Sequence, residues 1–231
     1  MPTSGGTAAP HATTADRSMA QVRGVAPANV RYLDFLAAGI LAQSALFVAI
    51  FYGISAIWER DLGVLQRYLV SPAPRAALVL GKALSAGVHG LSQAVIVYVL
   101  ALLLGVGIDL APLNILGVAA AIVLGSGLFA TLSLIIACIV KTRERFMGIG
   151  QVLTMPIFFA SNAIYPISLM PAWLSAVSHV NPLTYEVDIL RTLMLTKGAS
   201  DYGLPLDFAI LVAATAVLVA IAARMYRRMG Y

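Results

Sequence analysis

ILGVAAAIVLGSGLFATLSLIIACIV, residues 115–140, contains no charged side chain. A helix needs about 20 apolar residues to cross the hydrocarbon core of a bilayer, and this run exceeds that length. Inside lipid every backbone amide must be satisfied within the segment, so the run reads as a transmembrane α-helix. Three further stretches have the same character: Phe35–Trp58, Ala83–Val106 and Phe208–Tyr226, the last with an Arg224 that must snorkel to the interface. The whole composition agrees. Of 231 residues, 60% are hydrophobic and only 11% charged, with mean hydropathy +0.90. That leaves too little charge to cover a water-facing surface, which excludes a soluble globular enzyme. The single cysteine, Cys138, excludes an intrachain disulfide scaffold and a Cys-based metal cluster. The net charge of +5 does not point to nucleic acid, because the basic residues fall between apolar runs and read as topology signals.

A fifth stretch, Phe146–Ala160, is short and contains Pro156; a semi-apolar run, Ala163–Val180, follows and is broken by Pro166 and Pro171. Short, proline-interrupted apolar pairs are the sequence form of broken or re-entrant helices. The expected fold is therefore an all-α integral membrane protein with about five transmembrane helices. Residues 1–32 form a polar N-terminal tail or outer loop without the apolar core of a signal peptide, and 33–231 form one transmembrane domain.

The loops carry an alternating charge. Arg60, Arg67, Arg75 and Lys82, then Lys141, Arg143 and Arg145, then Arg224, Arg227 and Arg228 occupy loops that can all face the cytoplasm. The intervening connections hold Asp109, Glu186, Asp188, Asp201 and Asp207 against Arg191 and Lys197. The positive-inside rule then places the C-terminus in the cytoplasm, Asp109 and Trp173 outside, and the N-terminal tail, with Arg17, Arg23 and Arg31, outside as well.

ERDLGVLQRYLVSPAP, residues 59–74, follows the first span directly. At 100° per residue Leu62, Leu65, Tyr68 and Leu69 share one arc, Glu59, Arg60, Gln66 and Arg67 the other, with Asp61 dissenting. Pro72 and Pro74 stop the helix. Such a helix either seats the span at the membrane surface or docks its polar arc on a cytoplasmic partner.

Ile40–Pro72, with Trp58-Glu59-Arg60, Gly63, Leu69 and Ser71-Pro72, resembles the second-span and coupling-helix region of ABC type-2 transporter permeases, the membrane subunits of bacterial exporters for drugs, antibiotics and lipid-linked glycans. The resemblance continues through Asn162-Ala163-Ile164-Tyr165-Pro166, Met170-Pro171-Ala172-Trp173-Leu174, Asn181-Pro182-Leu183-Thr184-Tyr185 and Arg191, and covers most of residues 31–231. It implies a permease subunit in the bacterial plasma (inner) membrane that exports a hydrophobic or amphipathic substrate: a drug, antibiotic, lipid or glycolipid. Its partners would be an ABC ATPase subunit in two copies, a second permease as homo- or heterodimer, and the lipid bilayer. The coupling contact would come from Glu59, Arg60, Leu62, Gly63, Leu65, Arg67 and Leu69, and the outer re-entrant segment from Asn162, Pro166, Pro171, Trp173, Asn181 and Pro182. The chain has no GxxxxGK[ST] loop; Gly81-Lys82-Ala83 lacks both the earlier glycine and the hydroxyl. No cofactor is expected on this chain, with ATP and Mg on the partner. The span that matches the family's second is the first here, so the family's first span is missing and an apolar segment is expected upstream.

Other candidates have plainer readings. His89 and Gln93 share a helix face and either line a path or bond between helices. Gly117, Ala121 and Gly125 form a small-residue stripe for close helix approach. Glu186, Asp188 and Arg191 are expected to be ion-paired locally or solvated. His11 and His179 have no partner at ligand spacing, and no Ser/His/Asp set or HExxH motif suggests catalysis. A membrane-embedded lipid-modifying enzyme or a structural membrane protein is the alternative; polar residues are scattered rather than convergent, and neither would require a docking helix.

Overall fold

The computed structural model describes residues 32–64, 75–140, 142–196, 198 and 200–225. Among these it holds seven α-helices and one 3-10 turn: α1 Tyr32–Asp61, α2 Arg75–Leu103, α3 Pro112–Ile139, α4 Arg143–Phe159, the turn Ile167–Leu169, α5 Ala172–Val180, α6 Pro182–Met194 and α7 Leu204–Met225. Four of them, α1, α2, α3 and α7, are long and apolar enough to cross a membrane. The protein is an all-α, multi-pass integral membrane protein. α2 begins at Arg75, earlier than the apolar run Ala83–Val106, because Arg75 and Lys82 can sit on a helical turn at the interface without leaving the helix.

α3 is the post around which the others stand. Its apolar length shows no preferred side, in keeping with a helix buried on many faces. Small residues set the distances. Gly87 of α2 lies on Val123, Gly90 on Ser126, and Gly127 of α3 on Ala83, which fixes an antiparallel α2–α3 pair. α1 runs parallel to α3: Gly53 N–H donates to Ser133 Oγ at 2.9 Å, and that hydroxyl donates to the Ile50 carbonyl at 2.5 Å. The Gly117/Gly125 stripe accommodates α6, with Leu193 against Gly117 and Glu186 against Gly125.

α4 has only 17 residues, yet its neighbours trace the length of α1. Arg143 meets Asp61, Phe146 meets Gly53, Gly150 meets Ile50, and Ala163, just beyond the helix, lies against Gly39. α4 and the turn after it therefore run antiparallel to α1 from the Asp61 end almost to the Tyr32 end. Pro156 lies inside the helix.

α5 and α6 do not cross. From Pro112 to Gly125 is about 20 Å along α3, so α6 starts half-way down the bundle beside Gly125 and climbs back. There Asp109 N–H donates to the Met194 carbonyl at 2.8 Å and Thr196 N–H to Gly107 at 3.0 Å. A core cluster including Ala56, Ile57, Val79, Phe146 and Ala222 closes the Asp61 end; a larger one, with Leu41, Leu46, Ile122, Phe129 and Leu190, fills the remainder.

Candidate functional site

The predicted coupling residues divide. Glu59 and Arg60 belong to the last turn of α1, and the helix stops where Gly63 takes φ +71, a left-handed conformation that glycine adopts at no steric cost. Gly63 N–H donates to the Arg60 carbonyl at 3.0 Å. The amphipathic reading of 59–69 as one helix is thus corrected at its start: the angular plot is blind to a left-handed glycine, and the turn at Gly63 separates Glu59, Arg60 and Asp61, which belong to α1, from Val64. Leu62, 73% exposed, projects from the turn. Leu65, Arg67 and Leu69 lie outside the described residues.

Charges gather around that turn. Lys82 Nζ donates to both Glu59 carboxylate oxygens at 2.7 Å. Arg143 bridges to Asp61 at 3.2 Å and stacks over the Trp58 ring at 4.5 Å, and Arg60 lies 3.5 Å from Asp61. The ends of α1, α2 and α4 are thereby tied into one polar collar. The exposed Arg143–Asp61 pair is weak by itself, about 0–1 kcal/mol, whereas Lys82 and Glu59 are part-buried, and together the pairs fix where the collar's side chains point.

Above the collar, a polar seam continues between α1 and α2. Tyr52 Oη lies 2.7 Å from His89 Nδ1 and 3.1 Å from Ser85 Oγ, and the Tyr52 and His89 rings meet edge-on. His89 thus makes a hydrogen bond between helices, and Gln93 is half-buried one turn further along. The seam opens beside Ser55 into a cleft of about 340 Å³.

At the other end the residues expected to form a re-entrant segment build a helical hairpin, α5 and α6. Asn162 is fully buried and Ala163 packs on Gly39. Pro166 precedes the 3-10 turn, Pro171 precedes α5, and Trp173 is 69% exposed. Asn181 caps α6: its Oδ1 accepts from Leu183 N–H at 3.1 Å, while its Nδ2 donates 2.6 Å to the Ile157 carbonyl, which α4 cannot bond itself. Pro182 takes the first helical position, where a missing N–H costs nothing.

Glu186, Asp188 and Arg191 are neither solvated nor simply ion-paired, which corrects the sequence expectation. All three are buried. Arg191 Nη2 donates to the Asn162 carbonyl at 2.7 Å and its guanidinium stacks 3.8 Å above the Phe35 ring. Asp188 accepts from Ser200 Oγ at 2.8 Å and from the backbone N–H groups of Asp201 and Tyr202, so it ties the α6–α7 loop. Glu186 finds no hydrogen-bond partner among the described residues and lies against Gly125. α6 looked like an outer segment in the sequence, and nothing in its spacing betrays which long-range carbonyls and rings receive its polar face. In the α6–α7 loop, desolvation and then the charge of Asp188 raise Asp201 above the ordinary carboxylate range, and desolvation pushes the Tyr202 phenol up to about 12. Among the described residues no group of three or more His, Cys, Asp or Glu could hold a metal ion.

The profile of the ABC-2 type transporter covers residues 11–195. The chain belongs to the ABC-2 type transporter family. It is 30% identical over 167 residues to the putative transport permease ycf38 of Cyanophora paradoxa, covering 70% of this chain and 56% of that one. It is 28% identical over 207 residues to the daunorubicin resistance ABC transporter permease protein DrrB1 of Streptomyces coeruleorubidus, covering 87% and 71%. Nodulation protein J of Rhizobium leguminosarum bv. trifolii is 29% identical over 175 residues, covering 75% and 66%. The chain thus spans little more than half the length of the ycf38 permeases it matches. It is a multi-pass membrane protein of that family.

Proposed function

We propose that this permease is the membrane half of an ATP-driven exporter: a separate ABC ATPase subunit, in two copies, hydrolyses ATP with Mg, and two permeases, identical or related, enclose the substrate path. In this reading the chain itself binds no cofactor and catalyses nothing. The collar carries the proposal. Three helices end together there, Arg143 is bridged to Asp61 and Glu59 to Lys82, and Gly63 ends α1 in a left-handed turn. A push on that turn is transmitted to three helices at once. Arg67 and Leu69 would reach the ATPase, with Leu62, Gly63 and Leu65 shaping the contact.

The charge pattern supports a cytoplasmic collar and C-terminus, with the α5–α6 hairpin dipping in from the outer face of a bacterial plasma membrane. A hydrophobic or amphipathic cargo (drug, antibiotic, lipid or glycolipid) suits a chain of this composition. The relative named for daunorubicin resistance supports a drug among these, and efflux-based antibiotic resistance as the outcome.

Replacing Arg67 with Glu tests the coupling. A charge reversal in an interface costs several kcal/mol, about 2–5, whereas on a merely solvated face it stays within ~0.5 kcal/mol. The expected result is loss of co-purification with the ATPase and of export, with membrane insertion intact. Unchanged export by the variant returns 59–69 to a membrane-surface anchor.

A further inference from the structure

We infer that the cleft between α1 and α2 binds the uncharged, hydroxyl-bearing head of an amphipathic molecule whose apolar tail remains in the bilayer. The lining is given by Tyr52, Ser55, Glu59, Gly81, Lys82 and Ser85, around about 340 Å³, the lower end of the range of small-ligand sites.

Depth is the first argument. α1 has 30 residues and is about 45 Å long, against a hydrocarbon core of about 30 Å. Glu59 in its last turn therefore lies at the polar boundary, and Tyr52 lies about 10 Å further in. The cleft straddles the level at which an amphipath keeps its head.

Charge is the second. Glu59 and Lys82 already satisfy each other at 2.7 Å, with side chains only 28% and 16% exposed. A charged head would have to open this pair and leave one partner uncompensated, which is costly in a part-buried setting. The hydroxyls carry no such restriction. Ser55 Oγ donates to the Tyr52 carbonyl at 2.8 Å, and the Tyr52 and Ser85 hydroxyls share one hydrogen bond. Each keeps acceptor capacity, and the Lys82 ammonium keeps a third N–H beyond the two given to Glu59. A head rich in hydroxyl groups, donor and acceptor together, matches that inventory. Gly81 adds room, since a Cβ placed on it would meet nothing within 4 Å.

The third argument is the surface beyond the cleft. On α2 the exposed residues turn apolar away from Ser85: Leu84 is 60%, Val88 63% and Val95 63% exposed. A tail lying on this ridge would place its head at Gly81 and Ser85.

The cleft does not depend on ATP. Binding is measured on the full chain in phosphatidylcholine nanodiscs without ATPase, so failure here leaves the exporter reading standing, and failure of export there leaves this binding standing. The probes are an alkyl glucoside carrying a diazirine in its tail and a phosphocholine with the same tail. Saturable photolabelling by the glucoside is expected on peptides containing Tyr52–Glu59 and Gly81–His89, with the phosphocholine at least about tenfold weaker there. Ser85→Ala combined with Tyr52→Phe should weaken the glucoside about three- to tenfold, and Gly81→Leu, which fills the cleft without touching the core, should abolish the saturable component. Labelling spread evenly over the lipid-facing helices, equal labelling by both probes, or an unaltered Gly81→Leu variant overturns the inference. Displacement by excess free maltose overturns the amphipath in favour of a soluble sugar.

Discussion

Gly39 is one of the bundle's close backbone approaches. The Ala163 carbonyl occupies the space that a Cβ on Gly39 would need, so α1 and the start of the re-entrant hairpin meet backbone to backbone. A methyl group there has no flexible side chain to push aside. Gly39→Ala should cost about 1–3 kcal/mol as overpacking, seen as a lower unfolding temperature in detergent and earlier proteolysis between α4 and α5. Gly148 offers the control: it is also helical, but a Cβ on it meets nothing within 4 Å. Gly148→Ala should be neutral or stabilise by up to about 1 kcal/mol, since alanine loses less backbone entropy in a helix. Equal effects of the two substitutions would show that the Gly39–Ala163 contact does not set the hairpin's position.

Among the elements, α1 and α6 show what a linear pattern can and cannot disclose. Phe35–Trp58 was legible as a span from length and apolarity, and so was the small-residue stripe on α3, because both are properties of one helix. Pro166 and Pro171, read as breaks in the sequence, stand directly before the 3-10 turn and before α5, since a missing N–H is a local fact. The break at Gly63 was not legible from periodicity, which scores side chains and ignores backbone. Nor was the burial of Asp188 and Arg191: their partners, Ser200, Tyr202, Asn162 and Phe35, are set by how α6 folds back, and no window of sequence contains them together. The φ of +71 at Gly63 leads to a specific expectation. Gly63→Ala forces a Cβ into a left-handed conformation at a cost of roughly 1–2 kcal/mol, which the chain relieves by redirecting the segment beyond it. Export and ATPase co-purification should fall in Gly63→Ala and be largely retained in Gly63→Asn, because asparagine tolerates this conformation. Equal retention in both variants would detach the turn from coupling.

For the whole molecule, the side of the membrane on which each end lies turns on α4. Its 17 residues give about 26 Å of helix, short of a ~30 Å core, and length alone would leave it as a partial insertion. Its neighbours argue otherwise, since Arg143 is tied to Asp61 and Ala163 packs on Gly39. Helix and following turn together cover nearly the depth that α1 covers, and Arg191 of α6 links Phe35 of α1 to the Asn162 carbonyl just beyond α4. If α4 crosses, Trp173 shares a side with Asp109, and Arg143 is opposite; if it does not, Trp173 shares a side with Arg143. Single cysteines at 67, 109, 143 and 173 in a Cys138→Ser background, labelled in intact cells with a membrane-impermeant maleimide, separate the two. Positions 109 and 173 should react from outside, and 67 and 143 only after permeabilisation, since positive charge is retained in the cytoplasm. Outside labelling of 67 would invert the bundle and place the collar beyond the reach of any cytoplasmic ATPase. Protection of 173 together with labelling of 109 would reduce α4 to a re-entrant helix and the crossings to four.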